Sequence, residues 1–270
     1  MHFFGMKKES LSLGNTMDTI PVIAAAFGTS TQAQDTYRFF EERFRSAFPG
    51  RTLLWAYTSR MLREKMNERQ AGWKSLEEVL YDLEQQGCER AVIQSLHVIP
   101  GVEFHKIAAA AGATRIRTAI GRPLLCSDED CLSVIDALAD RIFCGNGRAT
   151  VLVGHGTYHL AGAVYARLEK IVSARYPEHV HVSVVEGEPS WEAARAALQG
   201  SAVQTVKFIP LMFVAGEHIM NDVLGVGSED EPSWQSQLAG LEIDGSEKGL
   251  GFNEKIVAMY LAHITAALEK

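Results

Sequence analysis

Ala149-Thr150-Val151-Leu152-Val153-Gly154-His155-Gly156-Thr157 reads as an apolar strand that ends in a glycine-flanked histidine. The two glycines let the backbone turn sharply and set the imidazole at the strand's carboxyl end. An upstream stretch, Val22-Ile23-Ala24-Ala25-Ala26-Phe27-Gly28-Thr29, has the same form of apolar strand followed by glycine. A second pair is closer still: Leu96-His97-Val98-Ile99-Pro100-Gly101-Val102-Glu103 parallels Leu211-Met212-Phe213-Val214-Ala215-Gly216-Glu217-His218. Each repeated unit is near half of the 270 residues. Two similar α/β lobes facing each other across a cleft are expected.

Working outward, short apolar runs alternate with amphipathic stretches along the whole chain. Strands are predicted at 22–26, 53–57, 90–99, 116–120, 151–153, 180–185 and 203–209. Tyr37, Phe40, Phe44 and Phe48 recur at helical spacing, and Leu76, Val79, Leu80 and Leu83 form a helical stripe that stops at Gly87. Further helices are predicted at 128–143, 159–176, 191–198 and 217–224, with a closing helix near 252–269. Strand-then-helix alternation means parallel sheets flanked by helices, with ligands bound beyond the strands' carboxyl ends. The predicted organisation is an extension over 1–18, one lobe over 19–130 and a second over 131–270, the closing helix packing on either. Residues 225–236, with Ser228-Glu229-Asp230-Glu231-Pro232, read as an exposed acidic loop.

Composition narrows the function. The chain is 47% apolar and 22% charged, with 33 acidic and 26 basic residues and a net charge of −7. A general nucleic-acid binder is disfavoured, and an anionic substrate would need a local basic patch. Cys88, Cys126, Cys131 and Cys144 match neither a zinc motif nor a disulfide scaffold. No run approaches the ~18 apolar residues of a membrane span. The N-terminus carries no convincing export signal, so the reducing cytoplasm is the expected compartment.

Three strand ends of the second lobe carry chemistry: Gly154-His155-Gly156, Val185-Glu186-Gly187-Glu188 and Gly216-Glu217-His218. Taken singly, each reads as a turn with an incidental polar residue. Together, two imidazoles and a carboxylate suit Co²⁺, Ni²⁺, Fe²⁺ or Zn²⁺ and leave coordination positions open. The zinc-hydrolase motif H-E-x-x-H is absent, as are the P-loop lysine, G-x-G-x-x-G after the first strand and the G-x-S-x-G elbow. Phe27-Gly28-Thr29-Ser30 could cradle an anion at a helix start. Nucleotide chemistry and serine hydrolysis are therefore not expected.

On these residues the chain resembles the class II chelatases of tetrapyrrole synthesis, most nearly the anaerobic cobalt chelatases of the CbiK type. The landmarks are Phe27-Gly28-Thr29-Ser30, Ile93-Gln94-Ser95-Leu96-His97, Gly154-His155-Gly156, Val185-Glu186 and the long stretch from Pro210 to His218 with Asn221-Asp222. The resemblance covers nearly everything from Ile20 on, although relatives often carry Asp where Glu217 stands. It implies ATP-independent insertion of Co²⁺ into sirohydrochlorin or its reduced precursor precorrin-2, for cobalamin biosynthesis. Fe²⁺ insertion for sirohaem or haem, or a tetrapyrrole or metal carrier, are the alternatives. By position it implies a metal site of His155, Glu186 and His218, the same histidines accepting protons. Phe27, Thr29, Ser30, His97 and Met212 would contact the macrocycle, with Phe213 or Val214 beside them. His97 could instead bind a further metal or haem. The eight carboxylates of sirohydrochlorin imply a basic cleft rim drawn from Arg60, Arg63, Lys65, Lys106, Arg115, Arg117 and Arg122. A homo-oligomer is compatible; a nucleic-acid partner, a membrane and a nucleotide are not expected.

Overall fold

A computed structural model describes residues 20–30, 32–216, 219–228, 231–245 and 248–270. The 1–18 extension lies outside them, as do Glu217 and His218. The first sheet has β1 (Val22–Ala26), β2 (Leu53–Tyr57), β3 (Arg90–Ser95) and β4 (Arg117–Gly121), all parallel, in the order β2-β1-β3-β4. The second has β5 (Arg148–Gly156), β6 (Val180–Glu186), β7 (Thr205–Pro210) and β8 (Glu242–Gly245), in the matching order β6-β5-β7-β8. The internal repeat is thus a repeat of topology: β5 corresponds to β1 and β7 to β3. Every residue of β1 is buried, which is why it reads as an unbroken apolar run.

The helices are α1 (Asp35–Ala47), α2 (Arg60–Glu68), α3 (Leu76–Gln85), α4 (Val102–Ala113), α5 (Asp128–Leu138), α6 (Ala163–Arg175), α7 (Trp191–Gln199) and α8 (Glu254–Leu268). Strand alternation decides which faces they cover. Val22, Ala24 and Ala26 join Val180, Val182 and Val184 in one central core, with Phe40, Ile135, Leu168 and Tyr260. So α1, α5, α6 and α8 lie between the two sheets. The outer face of the first sheet, with Ile23 and Ile93, is covered by Leu80 of α3 and Ile107 of α4. The outer face of the second, with Val151, Val153 and Phe208, is covered by Trp191 of α7 and by Trp234, whose rings stack at 4.7 Å.

Of the two placements open to the closing helix, α8 takes the first sheet. It packs on β3 and β4, and the buried Tyr260 hydroxyl donates to the carbonyls of Leu96 (3.4 Å) and His97 (3.2 Å). Other departures from expectation are local. The apolar run 90–99 outlasts its strand, which ends at Ser95, because Leu96 and Val98 beyond it stay buried. The helix expected over 128–143 ends at Leu138, and that over 217–224 is a π-helical turn, Ile219–Val223. Among the described residues no helix is long and apolar enough to cross a membrane.

Candidate functional site

Loops beyond the carboxyl ends of the two sheets meet one another. Thr29, just beyond β1, lies against Gly216, just beyond β7: a Cβ on Gly216 would sit 4.0 Å from the Thr29 hydroxyl oxygen. His105 of α4 packs on His159 of the loop after β5, ring centroids 5.1 Å apart. Tyr37 of α1 stacks on Phe213 of the loop after β7 at 6.1 Å.

In the second lobe β5 is central, between β6 and β7, so His155 has a strand end on either side. Its Nδ1 lies 3.2 Å from the Gly156 carbonyl. A carbonyl only accepts, so in this contact Nδ1 is the donor, and the other ring nitrogen, Nε2, is the one left to ligate. Gly156 pairs in register with Glu186 of β6. The Glu186 side chain is exposed and has no hydrogen-bond or ion-pair partner among the described residues. Glu188 is engaged locally, accepting from the Ser190 amide at 2.9 Å. By alternation His155 continues the face of Val151 and Val153, whereas Glu186 continues that of Val182 and Val184. The two groups therefore approach each other only past the strand ends, where the positive φ of Gly156 (+83°) breaks the pleat. His218, the third expected ligand, lies outside the described residues. Among the described residues no three His, Cys, Asp or Glu side chains are gathered closely enough to hold a metal ion.

In the first lobe His97 is half-buried and held by two hydroxyls. Ser95 Oγ lies 3.0 Å from Nδ1 and Thr58 Oγ1 lies 3.3 Å from Nε2. Burial pushes its pKa down to about 4, with Lys106 adding to the shift and Glu103 opposing it. Burial works to raise the pKa of nearby Glu103, but the Lys106 ammonium, 2.6 Å away, helps hold the carboxyl below its usual range. Its Oε2 is buried without a hydrogen-bond partner among the described residues. Sequence reasoning missed Thr58 and Glu103. The signal for Glu103 was present, since Gly101-Val102-Glu103 aligns with Gly216-Glu217-His218.

The His97 shift has a measurable consequence. The folded ring stays neutral to about pH 4, whereas an unfolded chain protonates it near 6.5. Between those values the unfolded state binds one more proton, so stability drops as the pH is lowered from 6.5 towards 4, by about 1.4 kcal/mol per unit and ~3 kcal/mol over the window. His97→Gln should flatten that part of the slope in urea unfolding at pH 7, 6 and 5.

The other expected contacts fall as follows. Phe27 is 46% exposed at the β1 end, Thr29 is buried, Ser30 is half-buried, and Met212 packs partly on the outer core of the second sheet. Of the residues expected at a basic rim, three are engaged within their own lobe and two stand elsewhere. Arg60 pairs with Glu64 (2.7 Å), Arg63 donates to the Tyr57 carbonyl (2.6 Å), and Arg122 pairs with the buried Asp130 (2.7 Å). Arg117 opens β4, and Arg115 precedes it, so both stand at the amino ends of the strands, away from the cleft. Spacing along the chain places a charge near a strand but does not say at which end.

Two matched parallel sheets with histidine and carboxylate groups at facing carboxyl ends make this a two-lobed chelatase fold. SirB from Bacillus subtilis with Fe³⁺ aligns over 93% of this chain and 96% of its own, at 15% identity and a TM-score of 0.62. The sirohydrochlorin chelatase SirB from Bacillus subtilis subspecies spizizenii in complex with cobalt aligns over 94% and 96%, at 15% identity and a TM-score of 0.58. The family model described as cobalt chelatase (CbiK) matches residues 21–269, and the chain belongs to that family. It is 33% identical over 260 residues to the sirohydrochlorin cobaltochelatase CbiKC of Nitratidesulfovibrio vulgaris, covering 92% of this chain and 90% of that one. It is also 33% identical over 257 residues to the sirohydrochlorin cobaltochelatase of Salmonella typhimurium, covering 92% and 96%.

Proposed function

We propose that this chain is a metal chelatase that inserts Co²⁺ into sirohydrochlorin, or into precorrin-2, for cobalamin biosynthesis. The observation that carries this is that β5 and the neighbouring β6 end together, one on a histidine whose Nδ1 faces the Gly156 carbonyl and the other on Glu186, an unpartnered carboxylate. Insertion replaces two pyrrole N–H protons by the metal. The site must hold a partly dehydrated cation and take up those protons, and neutral imidazole does both near pH 7. His155, Glu186 and His218 are the proposed metal ligands, with Glu186 offsetting the ion's charge. Glu186 is preferred to Glu188 because the latter is spent on its own turn. Exposed Phe27 offers an apolar face to the macrocycle, with Thr29, Ser30, His97 and Met212 around it. Fe²⁺, Ni²⁺ and Zn²⁺ would also bind such a donor set, since affinity follows the general order of the metals. The four cysteines are unbridged, which fits a reducing compartment, the cytoplasm. A Co²⁺-soaked crystal measured at the cobalt absorption edge tests the reading. One anomalous peak within about 2.3 Å of His155 Nε2 and of Glu186 supports it; a peak elsewhere overturns the ligand assignment.

A further inference from the structure

We propose that the first lobe carries a second ligand site, away from the cleft, for a small polycarboxylate with an apolar body. It is a groove of about 510 Å³ at the amino ends of β3 and β4. Arg90 and Arg117 open the two strands and are register partners, so two guanidinium groups start from directly opposed positions. Like charges on neighbouring strands repel one another. Neither arginine has an ion-pair partner among the described residues, although Glu89 adjoins Arg90 in sequence. Lys270 also lines the groove, in a chain that is acidic overall.

The internal repeat supplies the comparison. In the second lobe the corresponding register pair is Thr205 and Glu242, and the Thr205 hydroxyl donates to the Glu242 carboxylate at 3.1 Å. Two residues further along, Lys207 and Asp244 pair at 3.1 Å. The same place in the fold thus holds side chains bonded to one another in one lobe, with no pair of like charges, and two unpaired guanidinium groups in the other. A bound anion would neutralise it, and two guanidinium forks match two carboxylates. Between the charges the lining includes Ile20, Val92, Ala119 and Ala267, which gives a hydrocarbon body contacts that a bare ion would not use.

Calorimetric titration of the full chain with benzene-1,3,5-tricarboxylate, citrate and inorganic phosphate tests the site. The aromatic tricarboxylate should bind one to one and more tightly than citrate or phosphate. Arg90→Gln and Arg117→Gln should each weaken it about tenfold or more, and Arg117→Lys, which keeps the charge but loses the fork, should weaken it less. Arg117 is exposed, so its variants fold even if those at Arg90 do not. His155→Ala, at the opposite end of the molecule, should leave the affinity unchanged. No binding, or equal affinity in the Arg117 variants, overturns the proposal. So does loss in His155→Ala, which would put the probe in the cleft. Phosphate binding as tightly as the aromatic acid would overturn the apolar-body requirement.

Discussion

His155→Ala should slow Co²⁺ insertion into sirohydrochlorin by about 10²- to 10⁴-fold, the range a positioned proton acceptor supplies. The change in tetrapyrrole absorption on mixing with Co²⁺ reads the rate directly against a protein-free control. The ring's Nδ1 is tied to the Gly156 carbonyl, so ligation and proton uptake both fall to Nε2. Alanine removes both roles at once. His155→Gln, whose amide can accept a hydrogen bond but is a far weaker base, should also be slow. His218→Ala should behave in the same way if the two histidines act on one ion, and the double variant should be little slower than either single one. A His155→Ala enzyme that inserts metal at the wild-type rate would remove β5 from the mechanism. His155 is half-buried at a strand end, so the loss should appear with little change in unfolding temperature.

Gly156→Ala should be among the most damaging one-carbon changes in the molecule. Gly156 has φ +83°, and a Cβ there would lie 2.0 Å from the Glu186 carbonyl oxygen. The left-handed conformation alone costs a residue with a side chain about 1–2 kcal/mol. The overlap is with backbone, not with a flexible side chain, so it is relieved only by parting β5 from β6 or by re-aiming the turn. A total loss of about 3 kcal/mol or more is expected, read from urea midpoints at constant slope. Because the same turn carries His155 and adjoins Glu186, insertion should fall in the fraction that stays folded. Gly50→Ala separates backbone strain from contact: its φ is +78°, yet nothing lies within 4 Å of its Cβ position. It should cost only the conformational part.

Much of the architecture was legible because its signals are local. A buried parallel strand must be apolar throughout, as Val22–Ala26 is, and a helix between strands must show one apolar stripe, as Leu76 to Leu83 does. Two elements escaped for the converse reason. Strand β8 is four residues, Glu242-Ile243-Asp244-Gly245, at a sheet edge with no fully buried side chain. Helix α2 buries only Met66 and is otherwise polar, although Ser59 caps it, its side chain accepting from the Leu62 amide. Neither has a hydrophobic pattern strong enough to read. The arginines were misplaced for a different reason: a charged residue beside a strand looks the same at either end.

The amino-acid sequence by itself determined the two-lobed αβ alternation, the repeat and the strand ends at which His155, Glu186 and His97 stand. Those follow from periodicity and glycine placement, which are properties of neighbouring residues. Only the tertiary structure decided that α8 crosses back to seal the first sheet through Tyr260, that burial keeps His97 neutral where Ser95 and Thr58 hold its ring, and that Arg90 and Arg117 face each other unpaired. Each of these joins residues from different elements. They depend on which strands pair and on where the chain folds back, and the free energy that selects those pairings comes from burial across the whole core, not from any one segment.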